Sequence, residues 1–77
     1  MLTNGITIYG EDYCPFCQKA KQLVAHLPHQ LLSSTSHDFY VNAKPHIGSH
    51  HTIPVVFVNG TFIGGCDSLE AWLRKRR

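Results

Sequence analysis

The sequence predicts an α/β fold: a small four-stranded mixed sheet flanked by three helices, in the order β-α-β-α-β-β-α. Three observations predict it. A short apolar strand pattern at Ile6, Ile8 and Tyr9 runs into Cys14-Pro15-Phe16-Cys17, which opens a stretch of helical periodicity. Val55 to Val58, Asn59-Gly60 and Thr61 to Ile63 read as two antiparallel strands joined by a two-residue type I′ turn. The chain then closes on a segment whose Leu69, Trp72 and Leu73 recur at the spacing of one helix face.

Ile6 to Tyr9 forms the first strand, and the first helix runs from Pro15 to about Leu27, where Pro28 stops it. Cys17, Ala20, Val24 and Leu27 make its buried stripe, with Leu23 beside them, while Gln18, Lys19 and Gln22 face water. Leu31-Leu32 marks a second short strand. The turn-rich Ser33-Ser34-Thr35-Ser36 ends in a serine suited to cap a second helix reaching about Lys44. Phe39, Tyr40 and Ala43 recur at helical spacing there, against the poorer helix formers Val41, Asn42 and Pro45. After the hairpin, Gly64-Gly65 breaks the strand, and Asp67 with Glu70 three residues on predicts a capping box for the last helix.

With 77 residues, the chain is expected to form one domain over 1–77. Chains of this size bury roughly 60% of the surface they expose when unfolded. The apolar fraction of 43% and charged fraction of 16% describe an ordinary globular composition, without the polar bias of disorder. No long apolar span and no leader pattern is present, so neither a membrane partner nor secretion is expected, and a reducing cytoplasm is the default. A net charge of +2 is too small to point to nucleic acid. Its basic part, Arg74-Lys75-Arg76-Arg77, suits the negative end of a final helix dipole.

The chemistry sits in the cysteines. Two thiols at C-x-x-C spacing on the first turn of a helix are a dithiol redox pair. Cys14 lies where strand gives way to helix, so unpaired backbone N–H groups and the positive end of the dipole favour its thiolate. Cys17, one turn further in, is placed to attack a mixed disulfide formed at Cys14, and Pro15 fits the first helical position, where no intrahelical N–H is needed. The plainer role for Cys17 is a buried core thiol. Three cysteines in one close pair plus one distant residue do not form the framework of a secreted miniprotein.

Taken together, Cys14-Pro15-Phe16-Cys17 after a strand, Thr52-Ile53-Pro54 before a hairpin, and Gly64-Gly65-Cys66-Asp67 opening the last helix resemble a dithiol glutaredoxin of the thioredoxin fold. The resemblance covers nearly the whole chain. It implies a glutathione-dependent thiol-disulfide oxidoreductase that acts on protein disulfides and glutathione mixed disulfides through Cys14 and Cys17, as a monomer with no bound cofactor. It also implies a cis Pro54 facing the dithiol, with Thr52 and Ile53 presenting backbone to glutathione and Phe16 as a groove wall. Gly65, Cys66 and Asp67 would receive the γ-glutamyl end at a helix N-terminus. Asp67 could hold the ligand's ammonium group, while Cys66 has no necessary part in the exchange.

Where members of this family carry a lysine three residues before the first cysteine, this chain has Glu11, followed by Asp12. Both acids are expected to oppose the helix dipole, leaving the Cys14 thiol less acidic and glutathione more weakly held than the motif suggests. Lys44, His50 or His51 could supply the missing cation. Two alternatives remain: a redoxin recharged by thioredoxin reductase that serves ribonucleotide reductase, and a metal-binding module using Cys14, Cys17, His50 and His51. Adjacent histidines in a strand-like segment point to opposite sides, and Pro15 is unlike the relatives that hold iron-sulfur clusters, so no metal is expected.

Overall fold

A computed structural model describes residues 5–75. Its elements are β1 (Ile6–Gly10), α1 (Pro15–Leu23), β2 (His29–Ser33), a π-helical turn (Phe39–Ala43) continued by a 3-10 turn (Lys44–His46), β3 (Val55–Val58), β4 (Thr61–Gly64) and α2 (Cys66–Lys75). The strands form one mixed sheet in the order β2-β1-β3-β4, with β1 parallel to β2 and antiparallel to β3. This is the predicted architecture, with the π and 3-10 turns as the third helical element.

Both faces of the central strands are covered, which is why β1 and β3 are apolar almost without interruption. Ile6, Ile8, Val56 and Val58 pack with Ala20 and Val24 of α1 and with Cys66 and Leu69 of α2. Tyr9, Val55 and Phe57 point the other way, onto Ala43 and Ile47, with Phe39 and Phe62 closing the edge. Tyr9 meets Phe39 and Phe57 edge-on at 5.5 and 6.0 Å, an arrangement that satisfies the ring quadrupoles.

The hairpin adopts its expected turn: Asn59 and Gly60 both take positive φ, at 51° and 84°. Its register shifts between Val56 and Phe57, so Ile63 is an extra residue on the β4 side. Ser36 also caps as expected, its Oγ accepting from the Phe39 N–H at 3.2 Å. The segment it caps is not a regular α-helix. Pro45 has no N–H to continue an α ladder, and the chain widens into a π turn before it and tightens to 3-10 through it.

Two further boundaries differ from the sequence reading. α1 ends at Leu23, and isolated turn bonds from Ala25 to Gln22 and from Leu27 to Val24 carry the chain to Pro28. Val24 takes φ −109° and ψ 9°, outside the α region, which ends the ladder there, while its side chain stays buried and Leu27 is partly so. The capping box is not formed either. The Leu69 N–H bonds the Gly65 carbonyl at 3.0 Å, which puts Asp67 inside the first turn of α2 rather than before it. Glu70 instead lies 3.9 Å from Lys19 and 3.6 Å from Arg74. Arg74 and Lys75 end α2 as the dipole favours, and Arg76 and Arg77 lie outside the described residues.

Candidate active site: a dithiol beside a substrate groove

Cys14 is the N-cap of α1, in extended backbone (φ −93°, ψ 118°), with Pro15 as the first helical residue. Its carbonyl accepts the first helical bond from Gln18 at 3.0 Å, and its own N–H donates to the Glu11 carbonyl at 3.2 Å, so the turn that bears the thiol is anchored at both ends. Cys14 is half-exposed and Cys17 buried, and no disulfide joins them. Burial pushes the Cys14 thiol up, but the Cys17 thiol and the backbone N–H groups of Cys17 and Phe16 outweigh it, and the net shift is downward. No side-chain hydrogen bond caps the helix, so the amides act on the sulfur as dipoles.

Cys17 shows the opposite shift. Burial raises it most, with further raising contributions from the Cys14 thiol and from the charges of Cys14 and Glu11. Two thiols one turn apart are thereby driven in opposite directions, one toward thiolate and one toward thiol. The protonated partner stabilises the ionised one.

Glu11 has partners that the sequence did not show. Its carboxylate accepts from Ser33 Oγ at 2.9 Å, from the Ser34 N–H at 2.9 Å and from Ser34 Oγ at 2.5 Å, at the end of β2. The Ser34 and Ser33 hydroxyls hold it below the usual carboxylate range. Glu11 thus tethers the β1–α1 loop to β2. The groups that set the acidity of Cys14 are its burial, the neighbouring thiol and two amides, with a net lowering.

The Ile53–Pro54 bond is cis, as the resemblance implied. Cys14 Sγ stands 4.0 Å from the Ile53 carbonyl oxygen, so the dithiol and the segment before β3 share one edge. From there a groove of about 870 Å³ runs to the start of α2. All seven residues assigned to ligand binding from the sequence line it: Phe16, Thr52, Ile53, Pro54, Gly65, Cys66 and Asp67. Phe16 is 61% exposed, a bare aromatic wall. Cys66 is buried and its thiol is pushed up by that burial.

His50 and His51, open options from the sequence, line the same groove, as do Gly64, part of the motif that opens the last helix, and Ser68, which carries no ligand signal in the sequence. Gly64 takes φ +127° with the Ser68 side chain against it, so no Cβ fits between strand and helix. Lys44, the other proposed cation, is engaged elsewhere, its ammonium 5.4 Å from the Tyr40 ring centre. Among the described residues no three His, Cys, Asp or Glu side chains gather as a metal site, so Cys14, Cys17, His50 and His51 do not form one ligand set.

Gly10 carries no signal in the sequence, yet the site depends on it. A Cβ there would lie 2.5 Å from Cys17 Sγ and 4.0 Å from Pro54 Cβ, so the end of β1 must be bare for the inner thiol to pack. Cys17 also lines a second hollow of about 560 Å³ between α1 and β2, away from Pro54.

Known proteins share this fold. The glutaredoxin family model matches residues 6–63. A glutaredoxin of Vernicia fordii is 33% identical over 70 residues, covering 84% of this chain and 67% of that protein. The hybrid peroxiredoxin hyPrx5 of Haemophilus influenzae is 38% identical over 73 residues, covering 90% of this chain but only 29% of that protein. Among solved structures, a buckwheat glutaredoxin–glutathione complex superposes with a TM-score of 0.72 at 27% identity, covering 95% of this chain and 71% of that one. With its dithiol helix, its cis proline and a family match over most of its length, the chain belongs to the glutaredoxin family of thiol-disulfide oxidoreductases, in the thioredoxin fold.

Proposed function

We propose that this chain is a glutathione-dependent oxidoreductase that reduces glutathione mixed disulfides and protein disulfides through Cys14 and Cys17. The observation that carries the reading is the groove. It places the aromatic wall of Phe16, the backbone before Pro54 and the start of α2 beside a cysteine whose thiol is shifted toward thiolate. The buckwheat relative was solved with glutathione, which supports the same ligand here.

In the proposed reaction, Cys14 thiolate attacks the glutathionyl sulfur of a mixed disulfide, forming a Cys14–glutathione disulfide as the target thiolate leaves and takes up a proton. A second glutathione thiolate then attacks the glutathionyl sulfur, giving oxidised glutathione and restoring Cys14. For a protein disulfide, Cys14 first forms a mixed disulfide with the target; Cys17 then loses its proton and attacks Cys14 Sγ, releasing the reduced target. Two glutathiones reduce the resulting Cys14–Cys17 disulfide, again yielding oxidised glutathione. The elevated Cys17 thiol fits this order, since it stays protonated and supports the Cys14 thiolate until its turn comes.

The proposed setting is a reducing cytoplasm, with the chain acting as a monomer on disulfide-bearing proteins, ribonucleotide reductase among them. The Haemophilus relative, a hybrid peroxiredoxin, adds a peroxiredoxin cysteine to the substrates worth assaying. The test is NADPH consumption with a glutathione mixed disulfide, run separately with glutathione plus glutathione reductase and with thioredoxin reductase. Turnover in the first system, lost in Cys14→Ser and retained on mixed disulfides in Cys17→Ser, is the expected result. Turnover with thioredoxin reductase alone would replace this reading with a redoxin.

A further inference from the structure

Glu11 is joined to both thiols. Its carbonyl accepts the Cys14 N–H at 3.2 Å, and its own N–H is directed at the Cys17 sulfur. Its carboxylate is fixed at the end of β2 by the Ser33 hydroxyl at 2.9 Å, the Ser34 N–H at 2.9 Å and the Ser34 hydroxyl at 2.5 Å. Cys17 lines the hollow between α1 and β2 together with Glu11, where a negative charge opposes the loss of a proton from the buried thiol. The other charged residues lining that hollow, Asp12 and Lys21, are exposed and opposite in sign, and β1 and β2 line it with Gly10 and apolar side chains.

The carboxylate of Glu11 matters most after Cys14 has reacted. In the reduced chain, burial raises the Cys17 thiol most, the Glu11 N–H offsets part of this, and the Cys14 thiol and the charges of Cys14 and Glu11 add to it. Once Cys14 is in a mixed disulfide, its thiol and its charge are gone. Burial and the Glu11 carboxylate then remain to keep Cys17 protonated.

We propose that Glu11, held by Ser33 and Ser34, is a positioning residue that slows the attack of Cys17 on a mixed disulfide at Cys14 and so leaves that disulfide to an incoming small thiol. This rests on the two-thiol route proposed above and adds a bias to it, toward substrates resolved by glutathione rather than by Cys17. In the step concerned, Cys17 gives its proton to solvent and its thiolate forms a bond to Cys14 Sγ as the disulfide between Cys14 and the substrate breaks. The departing thiolate takes up a proton.

The test is the two-step release of nitrothiobenzoate when the reduced full chain is mixed with less than one equivalent of dithiobis(nitrobenzoate), followed by stopped-flow absorbance. Cys14 releases the first thiol, and Cys17 releases the second by attacking the mixed disulfide; Cys17→Ser, which should give the first release only, assigns the second. In Glu11→Gln, whose amide oxygen still accepts from the serines, the ratio of the second rate to the first is expected to rise about twofold. That is the scale of an exposed charge, offset by the weaker nucleophilicity of a more acidic thiol. Ser33→Ala combined with Ser34→Ala should raise the ratio in the same direction. Salt at about 1 M should raise it in the wild type and not in Glu11→Gln, a difference that loosened packing would not produce. A ratio unchanged in Glu11→Gln, or lowered, as when the carboxylate accepts the Cys17 proton, overturns the proposal while the two-thiol route stands. A wild type that shows the first release only overturns that route, and the proposal with it.

Discussion

Gly10→Ala is the most direct probe of how the fold holds its inner thiol. The added Cβ would fall 2.5 Å from Cys17 Sγ and 3.1 Å from Cys17 Cβ, roughly 1 Å inside the optimal separation of such atoms. Cys17 is itself buried, so it cannot swing into solvent to make room. Overpacking of this kind costs about 1–3 kcal/mol, which should appear as a lower urea midpoint at unchanged slope. A second readout separates packing from chemistry. Displacing Cys17 removes the thiol that helps hold Cys14 toward thiolate, so the thiolate absorbance of Cys14 should titrate at higher pH than in the wild type. In a Cys17→Ala background the sulfur is gone, and Gly10→Ala should then cost less, as coupled neighbours require. An unchanged urea midpoint together with an unchanged thiolate titration would refute the reasoning.

Three more outcomes are expected. Because Glu11 has its carboxyl lowered in the folded state, its contribution is present above the usual carboxylate range and lost as pH falls through the folded value. The melting temperature of Glu11→Gln should therefore lie below that of the wild type at neutral pH, with the gap closing in acid well under about pH 4. Tyr9→Phe removes the bond from the Tyr9 hydroxyl to Asp38 Oδ1 at 2.7 Å and should lower stability by about 1 kcal/mol in urea denaturation, since solvent still reaches Asp38. Asn42 also bonds that carboxylate, so the loss should not unfold the chain. Brief treatment with iodoacetamide at about pH 7, read by mass spectrometry, should label Cys14 well before Cys17 or Cys66, because the first thiol is lowered and half-exposed while the others are raised and buried.

Much of the site was legible because its parts are local. A proline at the first helical position between two cysteines one turn apart specifies a helix-borne dithiol whatever it packs against. Asn59-Gly60 specifies its turn because few other residue pairs accept two positive φ values. The family resemblance then carried Phe16, Thr52, Ile53, Pro54, Gly65, Cys66 and Asp67 onto one groove, and they do meet there. The boundaries were less legible. The end of α1 and the start of α2 are set by which carbonyl takes the last or first bond, and the chain near Pro45 chose a π turn that no simple periodicity encodes.

What the sequence determined by itself, then, is the order of elements, the faces of β1 and β3, the dithiol and the hairpin, because each follows from periods of two or 3.6 residues and from backbone sterics. Tertiary structure decided the rest. Glu11 meets Ser33 and Ser34 more than twenty positions away only because β1 and β2 lie parallel with Gly10 opposite Ser33. Gly10 is needed because α1 carries Cys17 onto the end of β1, and His50 enters the groove because Phe62 of β4 supports its ring. These contacts join segments distant in the chain, and their electrostatic consequences depend on where a charge is held rather than on its place in the sequence. Glu11 illustrates it: the sequence shows an acid three residues before Cys14, and only the fold shows that two serines hold its carboxylate ionised while its charge raises the Cys17 thiol.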